Sequence, residues 1–344
     1  MTNESEFRET AGKTTLNKEQ QELLSRKISD LSLRIKGTWL ESLVNQLYRE
    51  LEKTGISFKP KTYLADEWGC PHGVPVIGIP FYLADRELSK LEGQLTGIEA
   101  EDETEVMMCL RHEAGHAFNY AYRLYTRTEW RRTFGKFSQP YQEDYKPIPF
   151  STKFVRHLPG WYAQKHPDED FAETFAVWLT PGSDWQKQYA DTSALAKLIY
   201  VDKVAHKYGK MPTVVTDEYL HTPVQELTMT LDRWYETGRD TDSVSLNLHR
   251  TLNNDLRRLF PAVQGQPAAD VLRANRSHLI QEVNHWTGIN RKLLSALFDE
   301  LLQRVESIEL KIGIEQATTQ MAGVAVFITT LVMNYLYRGQ FIDT

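Results

Sequence analysis

Cysteine is nearly absent: Cys70 and Cys109 are the only two in 344 residues. That is too few for the disulfide framework of a small secreted protein, so a reducing, cytoplasmic setting is expected. An excess of positive charge is missing too. The chain has 40 Lys and Arg against 46 Asp and Glu, a net charge of −6 with the two signs interspersed. A nucleic-acid partner would need a clustered basic face, which this pattern excludes. The first fifteen residues lack the basic start and apolar run of a secretory signal, and their polar, acidic character reads as a disordered tail. Internal repeats and low-complexity tracts are absent. One long apolar run exists, Met321 to Tyr337. It is about one turn short of a comfortable membrane span and carries Gly323, Thr329, Thr330 and Asn334, so it reads as a buried C-terminal helix with no membrane span expected.

What is present suits an ordinary globular protein, with 41% hydrophobic and 25% charged residues. The length allows a catalytic domain of roughly 150–200 residues and a second region. Residues 17–54 carry apolar positions at helical spacing. Residues 56–65 and 74–84 look extended. The second stretch contains Pro75 and Pro80 and reads as an edge strand, able to pair with an extended peptide. Helical signals resume over 103–125, where Val106, Met107, Leu110, Ala114, Ala117, Phe118, Ala121 and Leu124 form one stripe. An aromatic- and proline-rich connection follows over 126–166, long enough to suggest function or partial folding. A short helix then begins near Asp168 and stops at Thr180-Pro181-Gly182. From 183 onward the pattern is almost wholly helical. The expected organisation is a tail over 1–15, a catalytic unit over 16–182 and a helical C-terminal region over 183–344, the last available to a protein partner.

The residues that carry chemistry are His112-Glu113-Ala114-Gly115-His116. Histidines at i and i+4 share one helix face and can hold one metal ion, while the glutamate between them is offset to reach a metal-bound water. Zinc with three protein ligands keeps a fourth position open for that water. His112 and His116 fall opposite the apolar stripe, where ligands lining a cleft belong. A third ligand is expected from a second helix. Glu169 and Glu173 lie four apart on one face of the 168–179 helix, with Phe171, Phe175, Trp178 and Leu179 opposed to them. Ala172 and Ala176 beside the carboxylates would let a partner helix approach closely. Glu169 then completes the zinc site, Glu173 accepts the ring N–H of a ligand histidine, and Glu113 is the general base that later protonates the leaving amine.

Other groups compete for these roles. Asp168 and Asp170 are rival ligands by type; Asp168 reads as the helix N-cap and Asp170 points elsewhere. His157 and His166 are also ligand types, with His166 placed to shape the turn before Pro167. Cys109 sits on the ligand side of its helix but is not needed. Cys70 and His72 lack the paired spacing of a zinc knuckle and read as loop residues.

The HExxH sequence followed by a Glu-x-x-x-Glu helix resembles the gluzincin branch of the zincin metallopeptidases. It is similar to the bacterial "putative zinc-binding metallopeptidase" proteins, whose downstream segment reads here Tyr162-Ala-Gln-Lys-His-Pro-Asp-Glu169-Asp-Phe-Ala-Glu173-Thr-Phe-Ala. It also resembles the anthrax lethal factor catalytic domain, in which a tyrosine seven residues before the ligand glutamate lies at the active site. The likeness spans about residues 60–182. It implies an α+β, zincin-like metallopeptidase domain with one catalytic zinc ion, a peptide or protein substrate, Tyr162 as hydrogen-bond donor to the oxyanion, and a cleft lined by the Val74–Ala84 strand. Glu169 follows His116 by 53 positions, a longer gap than in thermolysin-like enzymes. Two other functions use the same residues: hydrolysis of a non-peptide amide or conjugate, and a non-catalytic protein in which zinc is structural and the helical half binds a partner. Glu113 argues against the latter, because a structural site has no use for a base.

Overall fold

A computed structural model describes residues 16–96, 100–141, 145–240, 246, 248, 251–262, 264–313 and 317–342. The tail expected over 1–15 lies outside the described residues. The fold is mostly helical with two small two-stranded sheets, an α+β composition in the coarse sense expected.

The stretch over 17–54 is not one helix. It breaks into α1 (Lys18–Leu24) and α2 (Trp39–Lys53) around a short 3-10 turn at Ile28–Leu31. The break is local: Ser32 adopts a left-handed backbone and Gly37 has φ of 82°, neither of which a helix can accommodate. Strands β1 (Lys61–Ala65) and β2 (Val76–Pro80) pair in parallel, Lys61 opposite Val76 and Ala65 opposite Pro80. Every residue of β2 is buried. Its other edge is met at one position, where Gly69 and Gly78 exchange both backbone hydrogen bonds. The expectation that Val74–Ala84 lines the cleft is corrected by the cleft's lining, which holds Glu67, Trp68, Gly69, Cys70 and His72 and no residue of 74–84. Residues 81–84 form a 3-10 turn.

After α3 (Arg86–Thr96), the central helix α4 (Glu103–Ala121) begins at a capping box of Asp102 and Glu105. A bidentate ion pair from Arg111 to the buried Glu50 of α2, at 2.8 and 2.9 Å, ties it from one side. From the other side packs α6 (Pro167–Leu179). The crossing is close because Gly115 has no side chain: a Cβ there would sit 2.7 Å from Ala172 Cα and 2.9 Å from its carbonyl oxygen. Between them the 126–166 connection contains α5 (Thr128–Phe134) and a 3-10 turn at Tyr162–Gln164.

Helices α7 (Trp185–Gln188), α8 (Leu195–Tyr208) and α9 (Leu231–Asp240) complete the first core, whose buried residues include Leu47, Leu110, Phe118, Phe175, Val201 and Tyr235. A second core starts at Leu248 and is built by α10 (Leu252–Leu259), α11 (Ala268–Ala274), α12 (Arg276–Thr287), α13 (Arg291–Ser307) and α14 (Ala317–Arg338). It carries the antiparallel pair β3 (Gln266–Pro267) and β4 (Lys311–Ile312). The first core takes in α8 and α9, which bury apolar faces against it, and runs to Tyr235. Helix α14 is less enclosed than its composition suggests. Val324, Ile328, Leu331 and Val332 are buried, yet Val326 is exposed and only 28% of the apolar window is covered. By length and composition it is the one described helix that passes as a membrane span.

Candidate metal centre

Helices α4 and α6 meet along one face each, and the four residues expected from their i, i+4 spacing come together there. His112 Nε2 lies 3.0 Å from Glu169 Oε2, His116 Nε2 lies 3.2 Å from the same oxygen, and the two ring nitrogens are 3.1 Å apart. All three residues are buried. Among the described residues they are the group whose donor atoms converge closely enough to share one metal ion.

The outer ring nitrogens decide what the inner ones can do. His112 Nδ1 is 2.9 Å from Glu173 Oε1. His116 Nδ1 is 3.1 Å from Asp168 Oδ2, off-line for a good hydrogen bond but within ion-pair range. Carboxylates on both Nδ1 atoms favour the tautomer with the proton there, which leaves both Nε2 lone pairs aimed at Glu169. With both rings neutral, three electron-rich atoms converge on one point, a donor set that suits a cation. The donor set, two imidazoles and a carboxylate, is that of a catalytic zinc site with an open position.

The neighbouring acids set the basicity of the two histidines. Burial alone lowers the His112 pKa, but hydrogen bonds to Glu169 and Glu173 outweigh it and raise it to about 9. His116 is also raised, burial again opposing, with the charges of Asp168 and Glu169 prevailing. The Glu169 carboxyl stays well below its ordinary range: burial pushes it up, and the two histidines more than reverse this.

Glu173 is fully buried and accepts backbone hydrogen bonds from His157 (3.1 Å) and Leu158 (3.0 Å) besides its histidine contact. Glu113 is buried on the cleft wall, and its Oε2 has no hydrogen-bond partner among the described residues. Burial raises its pKa, with the two histidines opposing. Tyr162 sits with its ring 5.5 Å from that of His112, and its hydroxyl pKa is raised by burial and then by Glu169.

Asp168 has a different role from the one its sequence suggests, and the sequence reading misses Tyr141 altogether. Asp168 is not the N-cap of α6. That position belongs to His166, whose Nδ1 accepts from Asp168 N at 3.1 Å while Nε2 meets the Gln139 carbonyl at 3.0 Å, with Pro167 at the first helical position. The Asp168 side chain instead turns to α4, where it receives Asn119 Nδ2 at 2.7 Å and the Tyr120 hydroxyl at 2.5 Å. A signal existed: Asn119 and Tyr120 lie three and four residues after His116, on its face. Tyr141 donates to Glu169 Oε1 at 2.7 Å and stands 3.4 Å from the Tyr162 hydroxyl; no spacing rule links it to either.

The remaining candidates lie elsewhere. Asp170 is buried against Lys197 at 2.6 Å, and the His157 ring meets the Met108 carbonyl. Neither Cys109 nor His157 joins the converging group. Cys70 and His72 do line the cleft, a space of about 530 Å³ also bounded by Glu67, Trp68, Phe137 and Lys165.

Residues 98–249 match a family model described as "putative zinc-binding metallo-peptidase". The matched segment contains α4, α6 and the whole converging group. It omits β1 and β2, which the sequence resemblance had included, and adds α7 to α9. No curated protein matches the chain, and no solved structure does. The zincin fold and the likeness to lethal factor stay with the motifs that suggested them.

Proposed function

We propose that this chain is a zinc-dependent hydrolase that cleaves peptide bonds, with His112, His116 and Glu169 as the metal ligands. The observation that carries this reading is the convergence of two Nε2 atoms and one carboxylate oxygen within 3.0–3.2 Å, beside the buried Glu113, whose Oε2 has no hydrogen-bond partner among the described residues. Zinc held by these three residues would supply Lewis acidity toward a carbonyl oxygen and lower the pKa of a bound water toward neutrality.

The protein's own groups supply the rest. Glu113 accepts the proton of the attacking water; its raised pKa brings its basicity nearer the working pH, and the same proton then passes to the leaving amine. Tyr162, kept protonated by its raised pKa, donates to the negative charge developing on the substrate oxygen. Glu173 and Asp168 hold the two imidazoles in the tautomer that points Nε2 inward. Tyr141 orients the outer oxygen of Glu169. The cleft is sized for a few residues of an extended chain rather than a folded domain.

The test is the purified protein, its Glu113→Gln variant and a peptide library. One zinc per chain in both proteins is expected, with cleavage by the wild type and a loss of about 10²–10⁴-fold in the variant. Absence of bound zinc sinks the proposal. Intact zinc with no peptide cleaved moves the assignment to a non-peptide amide.

A further inference from the structure

The segment that delivers Tyr162 is held in a backbone conformation it would not adopt by itself. Gly160 has φ of 84° and Trp161, a bulky residue, φ of 63°, so two successive left-handed residues precede the 3-10 turn that presents the tyrosine. A non-glycine residue there persists only where its surroundings over-determine it.

Part of those surroundings comes from the second core. Gly288, at the C-terminal end of α12, packs backbone to backbone on Gly160: a Cβ at Gly288 would sit 2.5 Å from Gly160 Cα and 2.6 Å from its carbonyl oxygen. The Arg156 guanidinium lies 4.0 Å from the Trp161 ring and 5.2 Å from that of Trp286, two residues before Gly288. Phe150 closes the cluster, 5.0 Å from Trp161 and 6.4 Å from Trp286. On the approach to this turn, Tyr337 of α14 donates to the Pro147 carbonyl at 3.1 Å, and Lys146 reaches the Tyr337 carbonyl at 3.3 Å. Tyr145 donates to the Gly160 carbonyl at 2.8 Å.

We infer that the helical C-terminal region positions the catalytic turn, with Gly288 and Trp286 as positioning residues that fix the strained Gly160-Trp161 backbone and thereby the Tyr162 hydroxyl. The inference rests on the role proposed for Tyr162. It gives the second core a function at the site without placing any of its residues in the cleft. A displacement of about 1 Å at a reacting group costs up to roughly a hundred-fold in rate, so a contact this remote can control turnover.

The experiment compares Gly288→Ala and Trp286→Ala with Gly339→Ala. The last is a control of matching backbone, φ 77° at the end of α14, with nothing within 4 Å of an added Cβ. Hydrogen exchange is read at the amides of 160–165 in the zinc-free proteins, and zinc content and peptide turnover in the loaded ones. Expected are faster exchange in that segment for Gly288→Ala and Trp286→Ala but not Gly339→Ala, unchanged zinc content, and a fall in kcat of roughly ten- to a hundred-fold with KM little altered. Combination with Tyr162→Phe should lower kcat no further than Tyr162→Phe alone. Unchanged exchange in both variants, or losses that multiply with that of Tyr162→Phe, overturns the inference. Full activity of Tyr162→Phe by itself overturns the tyrosine's proposed role, and the exchange data still decide whether the second core holds the turn. Trp286 is about half exposed, so its variant folds even where Gly288→Ala does not.

Discussion

Asp168 sets its Oδ2 3.1 Å from His116 Nδ1, the counterpart of Glu173 Oε1 at 2.9 Å from His112 Nδ1. Each proposed ligand histidine thus has its own carboxylate, and both carboxylates come from α6. The two are not equivalent. Glu173 is anchored by backbone amides of 157 and 158, Asp168 by the side chains of Asn119 and Tyr120. Asp168→Asn keeps the shape but removes the charge that favours a proton on His116 Nδ1. Zinc affinity, measured by chelator competition, should fall about 10–100-fold, as for Glu173→Gln. If Asp168→Asn binds zinc as tightly as wild type, its partnership with His116 is only packing.

Tyr162→Phe tests the oxyanion donor. The hydroxyl is removed without changing the ring that packs 5.5 Å from His112. Loss of one such donor costs roughly 10²–10³ in kcat, with zinc content intact. A comparable loss in Tyr141→Phe but none in Tyr162→Phe would transfer the donor role to Tyr141, whose hydroxyl is 3.4 Å away.

Much of the site was legible because helix spacing is a geometric rule. His112 with His116 and Glu169 with Glu173 each lie four apart, and Ala172 announced a close approach of helices. The partner of Ala172, Gly115, was hidden in plain view inside the HExxH motif. What spacing could not reveal needed the tertiary fold. Tyr141 reaches Glu169 only because residues 135–141 run back to the start of α6. Asp168 looked like a cap because Asp is a good cap, but His166 took that place and freed it. In the same way Pro75 and Pro80 signalled an edge, but the bridge from Gly69 to Gly78 on that edge is one that no pattern in 74–84 could foretell. The break at 25–38 was masked by leucines and isoleucines that keep helical spacing across a left-handed residue.

Gly115→Ala tests the crossing directly. An added methyl would lie 2.7 Å from Ala172 Cα and 2.9 Å from its carbonyl oxygen, backbone atoms that a rotamer change cannot move. Overpacking of this kind costs about 1–3 kcal/mol, which is about 3–10 °C in Tm for a domain of this size. Thermal unfolding followed by circular dichroism reads the shift. A Tm equal to wild type would show that α4 and α6 can separate freely, and then the ligand distances are not fixed by this contact.

Metal loading should depend on pH in a direction set by His112. Its pKa in the zinc-free fold is raised to about 9, against 6.5 for the unperturbed side chain. A raised histidine pKa means that protonation stabilises the zinc-free fold fully below about pH 6.5, and this contribution is lost as pH rises through about 9. Zinc must displace that proton, because only the neutral imidazole binds metal. Apparent zinc affinity should therefore climb about ten-fold per pH unit for each proton released up to about pH 9, and level off above. Over the same range the zinc-free protein should lose stability to urea while the loaded protein does not. Isothermal titration in buffers of different ionisation enthalpy counts the protons released, and His112→Gln should release fewer. Zinc binding that is flat from pH 6.5 to 9 with no proton release would mean that both Nε2 atoms are already free of protons in the zinc-free fold, and that the surrounding acids do not hold them charged.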